Sequence, residues 1–221
     1  MILTRLLKNI VRPPAEPLPG NDPQLTDRPS VLNVGGGMKQ IAIPSHYDGW
    51  THLLLDIAPG PDVDVVLDAR QLLTLGPAQF DAIYCSHNLE HYYRHDCVKV
   101  LAGFLHVLKP DGYAEIRVPD MTSVLQAMVN RKLDIDDVLY TAAAGPITVH
   151  DVIYGWGEQI ERSGVDFYAH KRGFTAHSLS RALQDAGFAQ IGIAASEANF
   201  EIRALAFKAE PTAAQRATFG F

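Results

Sequence analysis

The sequence predicts an α/β protein, doubly wound around a mostly parallel seven-stranded sheet that ends in an antiparallel hairpin. Three observations carry this. Five short apolar runs, 31–35, 51–56, 63–68, 80–86 and 112–120, are bounded by glycine, proline or aspartate, the pattern of strands buried on both faces. Segments with helical spacing lie between several of them. Two late runs, 188–197 and 199–209, are joined by a tight connection and read as the hairpin.

The elements follow in order. VLNVG (31–35) opens the sheet and runs into three glycines. THLLLD (51–56) and VDVVLD (63–68) each end in an acid, FDAIYCS (80–86) is the fourth strand, and GYAEIRVPD (112–120) is the fifth. The helix over 95–109 places Val98, Leu101, Leu105 and Leu108 on one face, and Lys109-Pro110-Asp111-Gly112 stops it. Residues 121–174 are less regular, with a helix near 122–131 and a second near 134–143. The helix over 177–187 has Thr175 as N-cap and Gly187 as its stop. Crossovers of this kind are right-handed. Ligands then bind beyond the carboxyl ends of the strands, where the winding direction switches.

Ahead of this domain, residues 1–11 read as a short helix without the apolar core and cleavage site of a signal peptide. Six of the chain's 14 prolines fall between Arg12 and Pro29. Without N–H donors these residues suit a semi-extended linker. The organisation is a helix and linker over 1–29, a domain over 30–209 with an insertion over 121–174, and a tail over 210–221.

Composition sets the outer limits. A chain of 221 residues with 47% hydrophobic and 20% charged residues buries a core without staples. A net charge of −6 argues against generic nucleic-acid binding. No apolar run approaches the roughly 20 residues of a membrane span. Two cysteines, Cys85 and Cys97, make no disulfide framework and point to a reducing cytoplasm.

The chemistry begins at Asn33-Val34-Gly35-Gly36-Gly37. Glycines there let the backbone turn tightly and let a ligand approach without a Cβ in the way. Asp56, at the end of the second strand, is placed to accept hydrogen bonds from ribose hydroxyls. Asp68 ends the third strand, beside Ala69, within reach of an adenine. A Gly-x-Gly-x-x-Gly dinucleotide loop needs a glycine at position 40, which is Gln40, so the NAD reading weakens.

In this order LNVGGG, LLLDI, VVLDA, FDAIYCSHNLEH, VLKPDGYAEIRVPD and LQDAGF resemble class I S-adenosylmethionine-dependent methyltransferases with a Rossmann-like sheet. They are most similar to the type 11 group and its bacterial relatives with a Ser-His-x-Leu-Glu-His segment. The resemblance covers about residues 30–207 and implies the fold, the cofactor and methyl transfer. It implies that Asn33, Gly35, Gly36 and Gly37 flank the methionine part of the cofactor. Asp56, with Ile57 beside it, holds the ribose; Asp68 and the Ala69 backbone meet adenine; Ser86 and His87 line the sulfonium side. This chain departs from the family pattern at Asn33, where an acid is usual, and at Lys39, where a third glycine is usual. Lys39 is then suited to pair with the methionine carboxylate.

On the acceptor side, His87, His91 and His95 recur at spacing four beside Glu90. The order His-Asn-Leu-Glu-His is not the His-Glu-x-x-His of zinc proteases, so no metal is expected. Histidine titrates near neutrality, which makes His87 and His91 candidate bases. Asp120, ending the fifth strand, is the third catalytic candidate, with a helix N-cap as its competing role. Tyr154, Trp156, Tyr168 and His170 in the insertion, with His91, are the candidate acceptor contacts.

The expected function is methyl transfer to a small-molecule or glycan acceptor. A cofactor-binding regulatory protein without transfer, or a nucleotide-dependent oxidoreductase, are the competing readings. The N-terminal arm is suited to packing on a second copy, so a homodimer is an expected assembly.

Overall fold

The computed structural model describes residues 28–142 and 145–220. The expected N-terminal helix and most of the proline linker lie outside the described residues.

Seven strands form one sheet: β1 (Ser30–Val34), β2 (Thr51–Asp56), β3 (Val65–Val66), β4 (Phe80–Ser86), β5 (Leu108–Pro119), β8 (Gln190–Ser196) and β9 (Glu201–Phe207). Their order is β3-β2-β1-β4-β5-β9-β8. The first five run parallel, and β9 is antiparallel to both neighbours. After β3 the winding reverses, so the switch lies between β1 and β4. The apolar runs form strands because both faces are covered: Val31, Leu32, Leu54, Ile83, Cys85, Ile116 and Ala204 are fully buried.

One layer of the core contains α1 (Arg94–Val107) and α5 (Ala176–Ala186). In α1 the buried face is Cys97, Val100, Leu101, Phe104 and Val107, whereas Val98 is 63% exposed. The expected stripe through Val98 is therefore turned by about one residue. The helix ends at Val107 and β5 begins at Leu108, so Lys109–Gly112 lies inside a strand and does not form a stop. Pairing with β4 shifts register between Phe80 and Ala82, which accommodates this irregular start. Thr175 caps α5, its Oγ1 accepting the Ser178 N–H at 3.2 Å, and Gly187 closes it at φ 104°.

The insertion begins with α2 (Met121–Arg131). A hairpin of β6 (Val138–Ala142) and β7 (Gly145–Thr148) replaces the helix expected near 134–143. Then come α3 (Val149–Tyr154) and α4 (Gly157–Ser163). Of these, α2, the hairpin and α3 build a satellite core with Phe200 on Val124, Leu139, Val149 and Val152. The tail carries α6 (Ala213–Phe219). No helix among the described residues is long and apolar enough to cross a membrane.

Candidate active site

A cleft of about 690 Å³ opens beyond the carboxyl ends of β1, β2 and β4, within the size range of small-molecule sites. Its floor is the glycine loop. The ladder continues one step past β1, where the Gly35 N–H donates to Leu55 O at 2.8 Å. Gly35 and Gly37 have φ of 73° and 69°, the left-handed region that glycine enters without strain. A Cβ at Gly35 would run into the Asn88 amide, and one at Gly36 into the Asn33 amide. Asn33 is the polar exception in a buried strand, only 3% exposed, with Nδ2 at 3.2 Å from His52 Nε2.

Asp56 closes the next strand. Its Oδ1 accepts the Ala58 N–H at 3.0 Å and its Oδ2 the Gly37 N–H at 3.3 Å. Two amides thus orient the carboxylate, and both oxygens keep a lone pair for a ligand. Ile57 lies beside it on the cleft wall. Lys39 is turned elsewhere, to Asp64 at 2.6 Å, and is not on the wall, so it is not placed to meet a cofactor carboxylate here.

Asp68 reaches the cleft already engaged. It caps the turn over Ala69–Thr74 through the Arg70 N–H at 2.9 Å, and its carboxylate holds the Arg70 guanidinium at 2.9 and 2.5 Å. Burial disfavours its charge, but the hydrogen bonds and charge of Arg70 outweigh this and keep its carboxyl below the ordinary range. Arg70 also lies 3.4 Å from Asp96. Ala69 is buried beneath this pair, off the cleft wall. Arg70, Asp96 and the Tyr92-Tyr93 pair line the same end and were not among the expected residues.

Ser86 and His87 end β4. His87 takes φ 50°, unusual for a side-chain-bearing residue. Its Nε2 lies 3.1 Å from Glu201 Oε2 and its Nδ1 3.5 Å from Glu90 Oε1. Burial lowers its proton affinity, but the two carboxylates dominate and raise its pKa to about 10. In this arrangement His87 donates, which does not fit the expected base. Glu90 is 1% exposed. Burial pushes its carboxyl up, and His87, with smaller contributions from His91 and His170, brings it below its ordinary value.

The far wall comes from the insertion: Trp156, Phe167, Tyr168, His170 and Lys171. The Lys171 and Arg172 amides donate to Glu90 O at 2.8 and 3.1 Å and pin this segment over the Leu89–His91 turn. His91 and His170 stand edge to face at 4.8 Å. His91 Nδ1 meets Ala169 O at 3.1 Å and His170 Nδ1 meets Val152 O at 2.8 Å. A carbonyl only accepts, so each Nδ1 carries the proton and each Nε2 is left as an acceptor. Desolvation is the main cause that holds the His170 pKa below its ordinary value.

Besides Ala69, two more expected site residues fall elsewhere. Asp120 caps α2, with Oδ1 accepting the Thr122 N–H at 3.0 Å and Oδ2 the Ser123 hydroxyl at 2.7 Å. It is buried off the cleft, so the cap role wins over catalysis. Tyr154 is also off the wall, its ring against His150 at 5.0 Å. Cys85 and Cys97 are buried free thiols with proton affinities raised mainly by burial, as befits residues without a nucleophilic role.

A family model described as a methyltransferase domain matches residues 4–191. No curated protein matches the chain significantly. Among solved structures, a SAM-dependent methyltransferase from Archaeoglobus fulgidus is 15% identical with a TM-score of 0.52, covering 84% of this chain and 89% of its own. A Pyrococcus horikoshii protein is 14% identical at TM-score 0.53, over 83% and 84%. A SAM-dependent methyltransferase from Thermotoga maritima is 15% identical at TM-score 0.50, over 81% and 82%. At these identities the likeness is one of fold.

Proposed function

The chain belongs to the methyltransferase-domain family, and on that premise we propose that it methylates a small-molecule or glycan acceptor in the cytoplasm, with S-adenosylmethionine as cofactor. One observation carries this reading. A single cleft joins the glycine loop and Asp56 at one end to His91, His170, Trp156 and Tyr168 at the other.

The residues fit the cofactor. The loop is open where a ligand backbone would approach, since nothing lies within 4 Å of a Cβ at Gly37. Asp56, oriented by two amides, suits ribose hydroxyls. Ser86 and His87 stand between the two ends. When bound, adenosylmethionine supplies an activated methyl group, so the protein's task is alignment and exclusion of water. His91 and His170 turn their Nε2 atoms to the acceptor's nucleophile. Trp156 and Tyr168 offer aromatic faces for a planar or sugar ring. The two free, buried cysteines support the cytoplasmic location.

Calorimetry with adenosylmethionine and adenosylhomocysteine tests the reading. One site per chain with micromolar affinity is expected, followed by adenosylhomocysteine release with an acceptor pool. No binding at millimolar concentration overturns it.

A further inference from the structure

We propose that Glu90, His91 and His170 form a binding site for one divalent cation of the zinc, iron(II) or manganese class, at the acceptor end of the cleft.

The first observation is the donor set. One ligand atom from each of the three residues lies within 4.8 Å of the others. Donors around a small tetrahedral ion stand about 3.4 Å apart. Small side-chain rotations close the difference. Two imidazoles and one carboxylate with open positions suit borderline divalent metals and are too nitrogen-rich for calcium or magnesium.

A second, independent observation is the state of Glu90. Its side chain is 2% exposed, yet neither carboxylate oxygen has a hydrogen-bond partner. The nearest imidazole nitrogens, His87 Nδ1 and His170 Nε2, stand at 3.5 and 4.0 Å. A buried carboxylate without close donors is strongly disfavoured. A cation among these three residues supplies the close contact that the His87 imidazole, at 3.5 Å, does not make.

The third observation is the support around the ligands. His91 and His170 each direct Nδ1 at a backbone carbonyl, Ala169 O and Val152 O, so both Nε2 lone pairs are presented. A backbone carbonyl on the other ring nitrogen is the usual support of a metal-ligating histidine. The two halves of the site, about eighty residues apart in sequence, are held by the Lys171 and Arg172 amides on Glu90 O and by His91 Nδ1 on Ala169 O at 3.1 Å. The ligands are therefore preorganised by backbone contacts as well as by packing.

His91 and His170 also line the cleft, with Glu90 buried off its wall, so a coordination position left open on the cleft side would face the acceptor. Resting on the methyl-transfer reading, this names an acceptor class: a hydroxyl or vicinal diol whose oxygen ligates the ion. An ion at that oxygen lowers its pKa and favours the nucleophilic form.

The test uses the full chain after chelator treatment, titrated with Zn²⁺ by calorimetry and with Co²⁺ by visible absorption. One ion per chain, micromolar or tighter, is expected, with Co²⁺ bands of an imidazole–carboxylate site. Glu90→Gln and His170→Gln should each weaken Zn²⁺ at least tenfold, and His177→Gln, on the exposed face of α5, should not. Stoichiometry well below one, or unchanged affinity in both site variants, overturns the proposal. Should a variant fail to fold, selective Co²⁺ broadening of the His91 and His170 ring resonances in the unmodified chain decides, and its absence overturns the site. Adenosylhomocysteine binding measured in parallel separates failure of this site from failure of the methyl-transfer reading.

Discussion

Glu201 on the reversed strand reaches across the sheet end to His87, Oε2 to Nε2 at 3.1 Å, linking residues 114 apart in sequence. The same carboxylate holds Arg117 at 3.3 Å, and Arg117 holds the fully buried Glu115 at 2.9 Å. A charged ladder therefore runs from the core to the cleft. It also anchors His87 at its positive φ, a conformation that costs about 1 kcal/mol on its own. Glu201→Ala removes this brace. Urea unfolding should show a loss of about 1.5–3 kcal/mol, the range for hydrogen bonds to charged groups.

The glycine loop gives a paired prediction. Gly35 and Gly37 share a positive φ, but only at Gly35 does a Cβ collide, with Asn88. Gly37→Ala should cost about 1 kcal/mol through backbone strain alone. Gly35→Ala should cost about 2–4 kcal/mol and weaken adenosylhomocysteine binding. Adding Asn88→Ala to Gly35→Ala should recover part of that loss. Equal costs for the two glycine variants would remove the Asn88 contact from the account.

Asp56→Ala should weaken adenosylhomocysteine at least tenfold while the chain stays folded. The variant loses the carboxylate proposed to hold the ribose and also releases the Gly37 and Ala58 amides, which shape the loop. Calorimetry beside a circular dichroism melt separates the two effects. An unchanged affinity takes Asp56 out of the cofactor site.

The glycine-loop half of this cleft was legible in the sequence because it is local. Gly35–Gly37, Asp56, Asp68 and Ser86 each stand at the end of a strand whose apolar run was readable. A parallel sheet brings such ends to one edge. The far wall was less legible, since Glu90 and His91 meet the segment 169–172 through tertiary contacts, the Lys171 and Arg172 amides on Glu90 O and His91 Nδ1 on Ala169 O. No local pattern encodes that meeting. The engagement of Asp68 by Arg70 had a weak signal, an acid and a base two residues apart. The helix expected near 134–143 failed for a related reason. Ile135 and Leu139 are spaced like neighbours on a helix face, but they pack with α2 residues and Phe200 in the satellite cluster. Asp134 and Asp137 instead form a turn, the Asp134 N–H donating to Asp137 Oδ2 at 2.7 Å.

Acid sensitivity follows from Glu115. Burial raises its carboxyl, but Arg203 at 2.7 Å and Arg117 outweigh this and hold it below its ordinary value of 4.5. A carboxyl depressed in the folded state contributes stability that is present above the unfolded value. That contribution is lost as pH falls through the folded one. The Glu115 contribution to unfolding free energy should therefore be level near neutrality and decline below about pH 4.5. Glu115→Gln should lower stability at pH 7 and make the decline shallower. An unchanged slope in that variant would place the acid sensitivity elsewhere.

Trp156 and Tyr168 test the acceptor wall. Trp156 is 52% exposed in the cleft, and its ring meets Tyr168 edge-on at 6.4 Å. Neither ring supports the sheet, so replacing them leaves the glycine loop and Asp56 in place. Trp156→Ala and Tyr168→Ala should raise the acceptor KM several-fold and leave adenosylhomocysteine affinity within about twofold, because uniform acceptor binding is what they remove. With only Trp50 and Trp156 in the chain, fluorescence of a Trp50→Phe variant reports on this wall alone. Acceptor binding should change that signal. A signal indifferent to a turned-over acceptor would move the acceptor away from Trp156, toward other rings of the cleft such as Tyr92 and Tyr93.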